Sequence, residues 1–581
     1  MQPVDFTTLR AICADLRSHW LPARLEQVYQ RDRHTLALGL RTLNRRGWLT
    51  VSWHPQAARL CIDEAPPRTP DTFTFSQQLR HQLNGLALVA IEAIAPWERA
   101  LDLQFARRPG DPPLWRLYVE VMNKYSNVIL TTAEGQIVTV AHQVSAQQSS
   151  VRPLQTGQPY EFPPALTETI PNTAESLESW RERVALVPKP LRRALQENYR
   201  GMSSVLIRGM GDRAQINPEQ PTDQVTDAEW LRLYEVWQEW LHALEAESFQ
   251  PGWTPSGYTV LGWGMTAVAS DLQTVVSSYY REQLNRREFE QLRHQLDQRL
   301  LSLLKKLYVK AEDFQSRLSQ SDQADRFKER ADLLMANLHE WQVGMNSITL
   351  SDFATGEPVT ISLDPEKNAV QNAQAFYKKH QKLKRSRQAI EPLLQEVQSE
   401  IAYLEQIQVA IAQFQHYTAP DDLDSLLEIR EELIQQGYLE ATDGRRSSTP
   451  EETTSFRRYR TPSGFEVWVG RNNRQNDQLT FRLATDYDLW FHSQEIPGSH
   501  VLLRLPAGAA PDDVDLQFTA NVAAYHSRAA QSEQVPVVYT APRYVFKPKG
   551  AKPGMALYKQ ETIIWGEPQK AAQYVVKEGE E

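Results

Sequence analysis

The chain has 581 residues, of which 41% are hydrophobic and 23% are charged, as in ordinary folded proteins. Because a domain usually holds about 100–200 residues, this length excludes a single hydrophobic core. The formal net charge of −9 excludes a protein that coats nucleic acid indiscriminately, since phosphate binding requires clustered Lys and Arg.

The sequence also bears on the cellular compartment. It contains no run of about 18 apolar residues, and its first residues carry charges where a signal peptide is apolar. We therefore expect a cytoplasmic protein that does not enter a membrane. Cys13 and Cys61 are too few for a disulfide framework or a thiolate zinc site, although they allow one bridge. We predict that both are core thiols.

The first predicted domain, residues 1–170, is rich in β-strands. It begins with a helix, and four strand-like runs follow up to about residue 63. After a proline-rich stretch, Ser76 is predicted to cap a short helix that stops at Gly85. Five more strand-like runs follow up to residue 144. This pattern predicts helices packed on antiparallel strands.

Residues 171–255 are predicted to form a helical domain. Thr226 and Glu229 match a capping box, and the tryptophans that follow at helical spacing favour a core over a base-stacking platform. Within 191–214, a glycine turn separates two short helices, as in a helix-hairpin-helix. The backbone amides of such a turn can hold a phosphate.

Residues 256–440 are predicted to form a long antiparallel coiled coil. Apolar residues form one stripe over 270–318 and follow heptads over 390–411, with a compact, partly β-like insert between the two arms. Arms of roughly forty residues at about 1.5 Å per residue would make a lever about 60 Å long. A lever with so little core is expected to reach a large partner.

A polar linker at 441–455 leads to a last domain of α/β type, predicted over 447–566. Two basic islands, 378–387 and 543–554, are either solvated surfaces or phosphate-binding sites. His492 and His500 with Asp488 suggest a metal site, but no regular ligand spacing supports it. A nucleophile elbow is also missing around Ser499. We predict no catalytic residue, metal or cofactor.

The last domain resembles the NFACT-R module of the NFACT family in five ordered blocks, which are residues 469–473, 476–480, 488–492, 496–501 and 547–554. The first domain resembles NFACT-N in its second helix and in the turn at 123–127, and the middle region resembles the family's coiled coil. The resemblance implies a multidomain α+β protein with a β-rich N-terminal domain, a helix-hairpin-helix, a long coiled coil and a C-terminal α/β module.

The resemblance also implies a function, that of a ribosome quality control factor. Such a factor binds a stalled large ribosomal subunit with its peptidyl-tRNA, recruits alanyl-tRNA and promotes an untemplated C-terminal alanine tail. A small RNA-binding protein is an expected cofactor. Ribosomal RNA makes the peptide bonds in that scheme, so the resemblance implies a scaffold and not an enzyme.

The resemblance implies RNA contacts for two sets of residues. The tRNA set is Glu98, Arg99, Asn123, Lys124, Ser126 and Asn127. The set expected to contact RNA or the ribosome is Arg471, Asn472, Asn473, Asn476, Asp477, His492, Ser499, His500, Lys547, Lys549 and Lys552.

The tRNA set departs from the family at two places. Glu98-Arg99 stands where the family carries Asp-Arg, and Asn123-Lys124-Tyr125 replaces Gly-Arg-His. Glutamate is one methylene longer than aspartate, so a carboxylate at Glu98 that held Arg99 through two hydrogen bonds would change the direction of the guanidinium. Arg99 can bind a phosphate or stack on an unpaired base. Alternatively, it forms only a surface ion pair.

Three further interpretations concern the turn and the whole chain. Ser126 and Asn127 could bind a ribose or phosphate, or simply close a β-turn. A DNA glycosylase of similar architecture would need an N-terminal proline amine, but residue 2 is Gln. A surface adhesin, as the family's older fibronectin-binding name suggests, would need an export signal or anchor, which the sequence does not show.

Overall fold

The computed structural model describes residues 1–67, 70–145, 147–149, 152–164, 166–441 and 456–575. The chain forms two compact units, Met1–Asn285 and Arg286–Glu581. The predicted linker, apart from Ala441, and the predicted start of the last domain at 447 lie outside the described residues. Within the described part of the chain, no helix is long and apolar enough to cross a membrane.

The first unit is built on a nine-stranded antiparallel sheet. Its strands are β1 (Ala23–Asp32), β2 (Thr35–Arg41), β3 (Arg46–Ser52), β4 (Arg59–Asp63), β5 (Ala87–Ala93), β6 (Ala100–Ala106), β7 (Trp115–Glu120), β8 (Asn127–Thr132) and β9 (Ile137–Val140). Their order is β4-β3-β2-β1-β5-β6-β7-β8-β9, so nearly every strand pairs with its neighbour in sequence. The predicted β-rich N-terminal region is confirmed.

Two helices, α1 (Phe6–Trp20) and α2 (Thr74–Leu83), bury apolar side chains in the same core as the sheet. Asp5 caps α1, because its Oδ1 accepts a hydrogen bond from the Thr8 N–H at 2.8 Å. The predicted cap at Ser76 is wrong. Ser76 lies inside α2, and its hydroxyl donates to Asp71 and to the Phe73 carbonyl.

The rest of the first unit is mainly helical. Its helices are α3 (Leu177–Ala185), α4 (Leu191–Asn198), α5 (Ser204–Ala214) and α6 (Asp227–Glu245), followed by a small sheet of β10 (Gly252–Thr254), β11 (Gly257–Thr259) and β12 (Ala267–Val268). The capping box of Thr226 and Glu229 is confirmed at the start of α6. The tryptophans of α6 are buried, as predicted.

The second unit begins with a helical hairpin. Its elements are α7 (Leu272–Ser321, which starts in the first unit), α8 (Ala324–Ala336), β13 (Ser347–Ser351), β14 (Pro358–Ser362), α9 (Ala369–Ala412) and α10 (Pro420–Gln435). At about 1.5 Å per residue, the 50 residues of α7 span about 75 Å, more than predicted.

The two long helices run antiparallel, as predicted. Tyr308 donates to Glu405 at 2.6 Å, and farther along Arg387 donates to Asp322 at 3.2 Å. Leucines of α7 and apolar residues of α9 share one core with α10. Sequence reasoning missed α10, although Pro420 at its first turn and leucines at helical spacing mark it.

The last module contains a six-stranded sheet. Its strands are β15 (Arg457–Arg460), β16 (Glu466–Val469), β17 (Leu489–Ser493), β18 (Val501–Leu503), β19 (Val535–Thr540) and β22 (Thr562–Gly566), in the order β15-β16-β18-β17-β19-β22. A separate ribbon pairs β20 (Val545–Phe546) with β21 (Leu557–Tyr558). The helices are α11 (Asn473–Gln478), α12 (Asp513–Tyr525) and α13 (Pro568–Val575).

Candidate RNA-binding sites

The loops that carry the predicted tRNA residues lie side by side at one end of the nine-stranded sheet. β6 and β7 pair with Ala100 opposite Glu120. Beyond this pair, the Val121 N–H donates to the Arg99 carbonyl at 2.8 Å. The loop before β6 and the turn after β7 are therefore neighbours, which brings Glu98-Arg99 close to the 123–127 turn.

Arg99 is a half-buried cation. Within the part of the chain that the structure describes, no ion pair or hydrogen bond engages its guanidinium. Burial lowers the pKa of Arg99, and the negative charges of Asp5 and Glu98 oppose that shift. A partly desolvated charge without a close partner is characteristic of a binding site for an opposite charge.

Glu98 does not hold Arg99 in the way that the sequence suggested. Its carboxylate faces the segment after the sheet and accepts a hydrogen bond from the Leu166 N–H at 3.4 Å. Burial raises the pKa of Glu98. The expected bidentate pair is not formed, because the two neighbouring side chains face different surroundings.

The Arg99 loop packs against the turn between α4 and α5, where the sequence predicted a helix-hairpin-helix. Trp97 stacks on Phe6 with ring centroids 4.6 Å apart, and Gly201, at φ +78°, faces the Trp97 ring. A Cβ on Gly201 would lie 3.0 Å from that ring, so a glycine suits this position. The Ser203 hydroxyl, which caps α5, also donates to Asp5 at 2.6 Å. These contacts fix the loop's position.

The neighbouring turn exposes three polar or aromatic side chains. Residues Asn123–Tyr125 form one turn of 3-10 helix, and all three are exposed. Tyr125 is 71% exposed, and the Lys124 ammonium lies 4.9 Å from its ring centroid. A cation beside an open aromatic face can contact a phosphate and a base together.

Ser126 and Asn127 are buried, and their polar atoms are used inside the fold. The Ser126 hydroxyl donates to the Asn123 carbonyl at 2.7 Å and accepts from the Met122 N–H at 2.8 Å. The Asn127 amide donates to the His142 carbonyl at 2.8 Å and accepts from the His142 N–H at 3.0 Å. The Ser126 contacts close the turn, whereas the Asn127 contacts join the start of β8 to His142 after β9.

Beneath this turn lies a buried ion pair that sequence reasoning missed. Arg152 donates to both carboxylate oxygens of Glu120, at 3.0 and 2.5 Å, and the Tyr160 hydroxyl donates to the same carboxylate at 2.8 Å. Tyr160 also stacks on Tyr118, with ring centroids 3.9 Å apart. No local pattern links residues separated by 32 and 40 positions, so this network was not predictable from the sequence.

In the second unit, the polar residues at the start of α11 contact α10. Arg471 donates to Asp422 at 3.2 Å, and Asn473 donates to Glu432 at 3.0 Å. Asn472 donates to Glu428 at 2.6 Å. These side chains have little exposed surface. Their hydrogen bonds therefore attach the last module to α10.

The glycine-rich loop 547–554 is held by the same region. Asp477 pairs with Lys547 and accepts from the Gly554 N–H at 3.0 Å. The Lys552 ammonium donates to the Tyr438 hydroxyl and lies 4.6 Å from the centroid of the Tyr403 ring. Lys549 is exposed.

Of the remaining predicted residues of this module, Asn476, Ser499 and His500 are buried and His492 is half-buried. Asn476 accepts from the His500 N–H at 3.0 Å, and the Ser499 hydroxyl accepts from Gln413 at 3.4 Å. Burial lowers the pKa of His492 to about 4 and that of His500 to about 3, so both are neutral at pH 7. Among the residues with described positions, no group of three His, Cys, Asp or Glu could hold a metal.

Comparison with known proteins gives two family matches. Residues 5–452 match the NFACT N-terminal and middle domains, and residues 455–560 match the NFACT protein RNA binding domain. "Rqc2 homolog RqcH" from Bacillus subtilis (strain 168) is 29% identical over 577 residues, which cover 95% of this chain and 96% of that protein. A protein of the same name from Streptococcus suis (strain 05ZYH33) is 29% identical over 568 residues, 96% of each chain.

One solved structure shares a similar level of sequence identity. It is the C-terminal part of the fibronectin/fibrinogen-binding protein from Streptococcus suis, which is 29% identical. The match covers 49% of this chain and 98% of that one, with a TM-score of 0.38.

Proposed function

Because the chain belongs to the NFACT family, we propose that it is a ribosome quality control factor that binds RNA. In this proposal, it binds a stalled large ribosomal subunit with its peptidyl-tRNA in the cytoplasm. It recruits alanyl-tRNA and promotes an untemplated alanine tail, together with a small RNA-binding protein. Ribosomal RNA forms the peptide bonds, so the chain acts as a scaffold and contributes no catalytic residue.

The observation that carries the proposal is the half-buried Arg99, whose guanidinium forms no ion pair or hydrogen bond with any residue that the structure describes. A tRNA phosphate would supply the missing negative charge, and its hydrogen bonds would offset the desolvation of the guanidinium. Lys124 and Tyr125 on the adjacent turn would extend the contact to a second phosphate or an unpaired base. Glu98, Asn123, Ser126 and Asn127 would position these groups.

In the second unit, the proposal gives most of the predicted residues a positioning role. The contacts of Arg471, Asn472 and Asn473 with α10, and those of Asp477 with Lys547, keep the module and its loop in place. Asn476, His492, Ser499, His500 and Lys552 support the same interior. Exposed Lys549 remains available to a phosphate.

The experiment that tests this function uses the purified full chain and the variant Arg99→Ala. Wild type should co-sediment with large subunits that carry peptidyl-tRNA and should co-purify with tRNA. Arg99→Ala should recover at least about fivefold less tRNA, since a charge-assisted phosphate contact contributes about 1–3 kcal/mol. Sequencing the recovered tRNA would show whether it is tRNA for alanine.

The matched control is Arg107→Ala, an exposed arginine just beyond the opposite end of β6. It should recover as much tRNA as wild type. Equal recovery by Arg99→Ala and wild type would contradict the role of Arg99. If wild type ignored subunits and tRNA at low salt but bound immobilised fibronectin, the adhesin interpretation would replace the proposal.

A further inference from the structure

We propose that the ribbon of β20 and β21 in the last module binds single-stranded RNA. Unpaired bases would stack on its outer face, and phosphates would contact the cations around it. The proposal rests on the RNA-binding function proposed above and assigns a ligand class to one surface of the module. Four residues outside the predicted site sets carry it: Arg543, Phe546, Leu557 and Lys559.

The pairing of the ribbon places two apolar side chains on its outer face. Val545 pairs with Tyr558, and Phe546 pairs with Leu557. Val545 is buried, and Tyr558 packs toward the core, with its ring centroid 5.7 Å from that of Trp490. Because successive residues of a strand face opposite sides, Phe546 and Leu557 point outward. They are 40% and 52% exposed.

Cations lie beside this apolar pair and in the segments that flank the ribbon. Residues 541–560 include five Lys and Arg and no Asp or Glu, in a chain whose net charge is −9. The Lys559 ammonium lies 5.3 Å from the centroid of the Phe546 ring, and the Arg543 guanidinium lies 5.0 Å from that of Tyr544. Aromatic rings and positive charges therefore lie side by side in the ribbon and the segments next to it.

Three of the five cations are available to a ligand. Lys547 pairs with Asp477, and Lys552 donates to Tyr438. No carboxylate of the described residues forms an ion pair with Arg543, Lys549 or Lys559, and all three are exposed. A polyanion can therefore bind these three cations without first breaking an ion pair within the protein.

The exposed ring favours a single strand over other polyanions. In a duplex the base faces are stacked on one another, so a protein ring cannot reach them. Single strands present both phosphates and free base faces, which is the combination that neighbouring cations and aromatic rings bind. An acidic peptide would use the cations but leave Phe546 without a stacking partner.

The test measures binding of a fluorescein-labelled 12-nucleotide RNA without self-complementarity, by fluorescence anisotropy. All proteins are full chains that carry Arg99→Ala, so that the site in the first unit does not mask the ribbon. Phe546→Ala should weaken binding about tenfold, and Phe546→Trp should retain it, because base stacking needs an aromatic face. Lys559→Ala should weaken binding and reduce its salt dependence.

Two controls separate the ribbon from general effects. Phe353→Ala removes a ring that is 68% exposed in the turn between β13 and β14, and should leave the affinity unchanged. A 12-base-pair RNA duplex should bind more weakly than the single strand and should not respond to Phe546→Ala. A labelled polyglutamate peptide should show the same insensitivity.

Equal affinity of Phe546→Ala and its parent for the single strand would overturn the proposal. Equal losses for the single strand, the duplex and the peptide would overturn it as well, since a simple electrostatic patch would explain them. Co-sedimentation of wild type with large subunits is measured in parallel. If wild type binds subunits while Phe546→Ala has no effect on the oligonucleotide, only the ribbon inference fails.

Discussion

At the scale of single residues, burial decides which polar side chains can meet a ligand. Arg99, Lys124 and Tyr125 keep free surface at one end of the sheet, whereas Ser126 and Asn127 use their polar atoms inside the fold. All five are adjacent or nearly adjacent in sequence to another predicted contact. Within the turn, Lys124 and Tyr125 are exposed, whereas the next two residues, Ser126 and Asn127, are buried.

His492 and His500 of the last module predict a loss of stability in acid. Burial lowers the pKa of His500 to about 3 and that of His492 to about 4, while the unfolded chain titrates near 6.5. Their contribution is therefore present above about pH 6.5 and is lost as the pH falls toward 4. At pH 5 each histidine should cost about 2 kcal/mol of the free energy of unfolding.

Urea unfolding of the full chain at pH 7 and pH 5, with pulse proteolysis to quantify the folded last module, measures this loss. His500→Gln should shrink the difference between the two pH values. His339→Gln, whose ring is exposed, should leave it unchanged. A difference that His500→Gln does not alter would show that other groups cause the acid sensitivity.

The sequence predicts the strands and the apolar core well, but it does not predict which polar side chains are buried. Apolar periodicity marked every strand of the large sheet and the buried tryptophans of α6. Polar residues such as Asn472 and Asn473 carry no sequence signal of burial, because their partners Glu428 and Glu432 lie about forty positions earlier. Sequence alone therefore located the polar cluster but not what it contacts.

At the scale of elements, α10 is the anchor of the last module. Its carboxylates accept hydrogen bonds from Arg471, Asn472, Asn473 and Gln475. Each buried amide would otherwise lack an acceptor, which carries a desolvation penalty. The polar motif at 471–475 thus holds two elements of the same unit together.

Glu428→Ala tests this anchor. The change leaves the amides of Asn472 and Gln475 without their acceptor, so the free energy of unfolding of the last module should fall by about 2 kcal/mol. Pulse proteolysis in urea measures it. Glu431→Ala is the matched control, because the Glu431 carboxylate accepts a hydrogen bond from Gln435 of the same helix and from no other residue with a described position. Equal effects of the two changes would contradict the anchoring role.

At the scale of the whole molecule, an acidic chain can bind a large RNA only through local groups of cations. The net charge is −9, yet the segments 378–387 and 541–560 are strongly basic. The first belongs to α9, in the half of the helical hairpin that is distant from the α10 anchor. A long hairpin with a basic outer part is suited to reach phosphates far from its base.

Deletion of residues 318–391, closed by a short Gly-Ser connection, tests this reach. The cut removes α8, the β13–β14 hairpin and the basic part of α9, and keeps the core that Leu300 and Leu404 share. Co-sedimentation with large subunits should be lost, while circular dichroism shows that the remainder is folded. Undiminished co-sedimentation would show that the outer hairpin is not needed.

The burial of the two cysteines has a practical consequence. Cys13 and Cys61 are almost fully enclosed in the first unit's core, and burial raises the pKa of each thiol to about 12. Maleimides react with thiolates, so the native fold should remain unlabelled at neutral pH. A single cysteine introduced at the surface can therefore carry a fluorophore while Cys13 and Cys61 stay in place. The rate at which Cys13 and Cys61 themselves become labelled would report how often the first unit opens.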